Sequence, residues 1–136
     1  MSSIDVIKAD GGTRTAAITG SYVALAIALD KLVQAGSLRA VPLSCAVAAV
    51  SAGVMDGVPL LDLNYEEDFG AALDFNVVMT ETGEFVELQG TGESHPFSRQ
   101  EMDDILDLCA GGIRRLFEFQ RSALAGAGVP LPRANA

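Results

Sequence analysis

Between residues 45 and 90 the chain twice runs apolar, breaks at a glycine turn and runs apolar again. Cys45 to Met55 is rich in valine and alanine, Asp56-Gly57 suits a tight two-residue hairpin loop, and Val58 to Asn64 resumes the apolar pattern. Leu73 to Thr80 and Glu84 to Gly90 repeat the arrangement through Glu81-Thr82-Gly83. Two successive hairpins make one sheet, and a sheet with an apolar face needs cover from flanking segments.

Both flanks read as helical. From Thr15 to Ala35, Ile18, Tyr22, Leu25, Leu29 and Leu32 recur at helical spacing, and Gly36 is placed to end the helix. Ala17, Gly20, Ser21, Ala24 and Ala28 are small enough to let it lie close to a sheet. Ser98 with Glu101 has capping-box spacing, and Met102, Ile105, Cys109, Gly112, Leu116 and Phe119 then form a second stripe. Ala110-Gly111-Gly112 inside it predicts either close packing or a kink. Upstream, Ile4 to Lys8 alternates as a short strand that Asp10-Gly11-Gly12 ends. The expected unit is α+β, with two long helices packed on a sheet of about five strands. Residues 1–125 form the folded portion and 126–136, with Pro130 and Pro132, a flexible tail.

Charge restricts the partners. Nine basic residues against 18 acidic ones give a net −9, the wrong sign for holding nucleic acid by neutralising its phosphates. Any basic contact surface would have to lie elsewhere. Cys45 and Cys109 sit in apolar stretches and read as reduced, buried thiols, which fits cytoplasmic residence. Met1-Ser2-Ser3 does not resemble a secretory start, and the run from Ala16 to Leu29 is broken by Thr19, Gly20 and Ser21, which predicts no membrane segment.

Two segments could carry chemistry. Asp10-Gly11-Gly12-Thr13-Arg14-Thr15 joins a strand to a helix start, where close-approaching backbone N–H groups, the Thr13 hydroxyl and the Arg14 fork suit an anion. The plainer reading is a turn, a threonine cap and a surface arginine, since the Gly-Lys-Ser/Thr ending of a Walker loop is absent. The second is the acidic run Glu66-Glu67-Asp68 with Asp74, whose strand puts Asn76 on the same face. Hard cations such as Mg²⁺ bind one or two carboxylates together with substrate phosphates, although a solvated acidic loop would look the same. His95, before Pro96, reads as a loop residue.

Taken in order, Asp5 to Gly20, Ala48 to Gly53, Asp62 to Asp68, Asp74 to Thr80 and Glu87 to Glu93 resemble ribonuclease PH, and the likeness spans about residues 4 to 125. It implies a mixed sheet of the ribosomal protein S5 domain 2-like kind and a phosphate-dependent 3′→5′ exoribonuclease that trims tRNA precursors and releases nucleoside diphosphates. By the same resemblance, Gly12, Thr13 and Arg14 would bind inorganic phosphate, Asp68 and Asp74 would hold a catalytic Mg²⁺, and the family assembles as a hexameric ring. Phe69, Ala72 and Phe75 depart from the serine, glutamate and methionine common in the family. Complete members are considerably longer, and their first half supplies another phosphate-contacting arginine and much of the basic RNA surface. The resemblance therefore implies a chain that is weakly active or inactive alone, and that either works with a separate N-terminal half or is a shortened form of a longer protein. The rival is a non-catalytic structural subunit like those of exosome rings.

Overall fold

The computed structural model describes residues 4–8, 12–62 and 70–130. Both hairpins form where the turn chemistry places them. β1 (Val47–Met55) pairs with β2 (Val58–Leu61), and Asp56 and Gly57 take the positive φ values, 52° and 77°, that the loop demands. β3 (Leu73–Thr80) pairs with β4 (Phe85–Gly92), and β1 and β3 join the hairpins into a sheet of order β2-β1-β3-β4. All pairings are antiparallel, so the expected mixed sheet is corrected to a purely antiparallel one. The expected strand over Ile4 to Lys8 does not form: Ile4, Val6 and Ile7 are exposed and the segment pairs with neither sheet edge. Among the described residues, four strands replace about five for that reason.

Two helices flank the sheet, α1 (Thr13–Gln34) and α2 (Arg99–Gly126). Leu73, Phe75 and Val77 alternate into a core with Ala48, Val50 and Ala52, and α2 lays Ile105, Cys109, Ile113 and Phe117 on it. α2 starts with the capping box read from the sequence: Ser98 Oγ accepts from the Glu101 N–H at 3.1 Å, and the Ser98 N–H donates to Glu101 Oε2 at 2.7 Å. The Ser98 backbone N–H, with the Ser98 hydroxyl after it, holds the Glu101 carboxyl below its usual value. Burial, with Asp62 nearby, pushes the Cys109 thiol up to about 12, so it packs as a small apolar group. The helix runs unbroken through Gly111 and Gly112, which decides between the two expectations in favour of close packing. A Cβ on Gly112 would stand 2.8 Å from Leu61 Cδ1, whereas one on Gly111 would meet only Arg114 Nη2 at 3.8 Å. Within the segment expected as a tail from residue 126, the Val129 N–H donates to the Leu124 carbonyl at 2.9 Å, and its side chain is buried in the core. Residues 131–136 lie outside the described ones.

α1 is placed by hydrogen bonding more than by its leucines. β2 stops at Leu61, leaving the outer edge of β1 from Ser51 back to Val47 without a strand. The Asp62 N–H donates to the Ser51 carbonyl at 2.8 Å. Thr19 Oγ1 accepts from the Ala49 N–H at 3.0 Å and donates to the Ala49 carbonyl at 3.2 Å. Gln120 Nε2, from α2, donates to the Val47 carbonyl at 2.8 Å and to the Thr19 carbonyl at 3.1 Å. Two side chains thus stand in for the missing strand and tie both helices to one edge. The buried stripe of α1 is accordingly Thr15, Tyr22, Ala26 and Asp30, while Leu25 and Leu32, expected inside, are exposed. By length and composition α1 could cross a membrane, with mean hydropathy 1.5 and 17% of that window buried. Its Thr19 bonds set it against the sheet instead.

Thr19→Val, which keeps the volume, leaves the buried Ala49 N–H and C=O unpaired and is expected to cost about 1–3 kcal/mol in urea unfolding, with Thr19→Ser close to wild type. Helix propensity favours alanine over glycine by about 1 kcal/mol. Gly111→Ala should therefore raise stability, and Gly112→Ala should fall below Gly111→Ala by about 1 kcal/mol or more because Leu61 must move.

A candidate anion and metal site on the polar face of the sheet

Strand alternation divides the sheet cleanly. Directly opposed residues share a face, so the partners Asp74 with Gly53 and Thr91, Asn76 with Ser51 and Gln89, and Val78 with Glu87 line the face opposite Phe75 and Val77. The N-terminus of α1 lies over this face. A Cβ on Gly12 would be 2.9 Å from Ser51 Oγ, and Arg14 Nη2 donates to Glu87 Oε2 at 2.6 Å across two intervening strands.

That helix end suits an anion. Gly12 occupies the N-cap in the left-handed region at φ 72°, among the described residues no side chain caps the helix, and its first turn holds no acidic residue. The N-terminal N–H groups and the positive end of the helix dipole are thus not neutralised from within the helix. Thr15, the threonine fully buried here, turns its hydroxyl back to the Gly12 carbonyl at 2.9 Å. Ser51 Oγ is buried beside Gly12 without a hydrogen-bond partner. The apolar groove of about 510 Å³ along α1, lined by Ile4, Ala17, Ala24 and Leu25, offers an anion nothing comparable.

Of the residues singled out in the sequence, Gly12, Thr13, Arg14 and Asp74 are brought to this face. Thr13 opens α1, Asp74 is half-buried near the start of β3, and both are engaged in further contacts. Asp68 and Phe69 lie outside the described residues. Among the described residues no three His, Cys, Asp or Glu side chains gather as a metal site. Phe75 points away from Asp74: its ring is buried, covers Gly90 and meets Phe97 edge-on at 5.0 Å, which makes it a core residue. The Ala72 carbonyl accepts from the Glu93 and Ser94 N–H groups at 2.9 and 3.2 Å. His95 is exposed in its loop, as its sequence context suggests. Sequence reasoning did not single out Glu87 or Ser51, because their place beside α1 follows only from strand register.

Comparison with known proteins agrees with this architecture. Residues 45–110 match the 3′ exoribonuclease family, domain 2. The chain is 56% identical over 120 residues to ribonuclease PH from Cyanothece sp. (strain PCC 7425 / ATCC 29141), a match that covers 88% of the chain and 50% of that relative. Its fold superposes on the crystal structure of rice (Oryza sativa) Rrp46 with a TM-score of 0.67 at 22% identity, over 88% of the chain and 51% of that structure. The chain spans about half the length of the proteins it matches. The family domain, the relative and the fold agree that the chain is similar to the C-terminal part of ribonuclease PH.

Proposed function

We propose that the chain carries the phosphate- and metal-handling part of a phosphate-dependent 3′→5′ exoribonuclease, a cytoplasmic tRNA nucleotidyltransferase that trims tRNA precursors. The observation that carries this reading is the convergence of Arg14 and the uncapped α1 N-terminus on the sheet face that also bears Asp74. In phosphorolysis an oxygen of inorganic phosphate attacks the 3′-terminal phosphorus. The bond to the preceding nucleotide's 3′ oxygen breaks, that oxygen takes up a proton, and the terminal residue leaves as a nucleoside diphosphate. Two anions must meet, and the work of the protein is positioning and charge compensation. Gly12, Thr13 and Arg14 would bind the attacking phosphate by N–H, hydroxyl and guanidinium donors. Asp74, with Asp68, would offer the hard oxygen ligands that Mg²⁺ prefers. When bound, Mg²⁺ would offset charge on the diester and its leaving oxygen.

The net charge of −9 makes RNA binding by this chain alone unfavourable, so the basic RNA surface is proposed to come from a homo-oligomeric ring or from an N-terminal half of the family fold. The same charge favours a second reading, a non-catalytic subunit of an exosome-like ring.

The test incubates the chain, with and without a supplied ribonuclease PH N-terminal half, with 3′-extended tRNA, Mg²⁺ and phosphate. Phosphate-dependent release of nucleoside diphosphates is expected, and loss of about 10²–10³-fold in rate is expected for Arg14→Ala and Asp74→Asn. If assembled protein leaves the RNA intact, the structural reading replaces the enzymatic one.

A further inference from the structure

The Arg14–Glu87 pair spans 73 residues of sequence and is 56% and 36% exposed at its two side chains. An ion pair that wet adds little to stability. Its consequence is geometric. The contact is single, Nη2 to Oε2 at 2.6 Å, so Nε, Nη1 and the second Nη2 hydrogen keep their donor capacity. Glu87 opposes Val78 on the polar face, immediately after the register shift in the β3–β4 ladder that leaves Val86 as the extra residue. An otherwise flexible arginine is thereby held over the face that carries Asp74 and Asn76.

We propose that Glu87 is a positioning residue, which aims the Arg14 guanidinium at inorganic phosphate. This rests on Arg14 being the phosphate ligand. Ordering a long side chain in advance lowers the cost of ordering it on binding. The Glu87 charge opposes a second anion nearby, so its alignment and its charge act in opposite directions. Glutamine keeps an acceptor for Nη2 without the charge, and alanine removes both.

Calorimetric titration of the whole chain with inorganic phosphate, at constant ionic strength, separates these effects. Glu87→Ala is expected to bind phosphate about 3- to 10-fold more weakly. Glu87→Gln should match wild type or bind more tightly, and Arg14→Ala should abolish binding. Circular dichroism and unfolding curves check that each variant is folded. If wild type binds, Arg14→Ala does not, and Glu87→Ala binds as well as wild type or better, the positioning role is overturned while the phosphate site stands. If Arg14→Ala binds like wild type, or wild type does not bind at all, the phosphate reading of Arg14 fails and the role of Glu87 fails with it.

Discussion

The arrangement depends on how the outer edge of β1 is satisfied. A strand that loses its neighbour halfway along presents N–H and C=O groups that must find partners once they are buried. In this chain the Asp62 N–H, the Thr19 hydroxyl and the Gln120 amide take up the positions beyond the end of β2. Gln120 bonds the Thr19 carbonyl as well, so one small polar cluster fixes both helices relative to the sheet. The apolar surface of α1 could not do this alone, because much of it faces outward.

Fixing α1 at Thr19 also fixes its first turn. The helix begins at Thr13, less than two turns before Thr19, which leaves its positive end over the sheet face opposite the core. The division of labour between faces follows from strand alternation: Phe75 and Val77 pack under α2, and Asp74 and Asn76 are left on the other side. Core and chemistry are therefore separated by the thickness of a strand. Phe75 falls on the core side of that division: its ring is buried against Phe97 and faces away from the Asp74 carboxylate.

Local features were legible in the sequence. The hairpin turns, the capping box at Ser98 and Glu101, and the alternation that sets Asp74 against Phe75 each depend on a few adjacent residues. Features that depend on distant partners were not. The helical period of Leu25 and Leu32 pointed inward, yet Thr19 turned a different stripe of α1 to the core. The alternation of Ile4 to Lys8 looked like a strand, yet the segment lies exposed and pairs with neither edge of the sheet. Gly12, Thr13, Arg14 and Asp74 could be nominated from motif and resemblance, but Glu87 emerged only once β4 was in register with β3.

The central claim is that the N-terminus of α1, held over the polar face of the sheet, is where this chain takes an anion. Residue-resolved amide NMR during titration with inorganic phosphate tests it most directly. Saturable shifts are expected at Gly12 to Ala16 and at Gly53 and Asp74, with the far end of α1 near Gln34 unmoved. Shifts confined to other surfaces, or none while the protein remains folded, would contradict it.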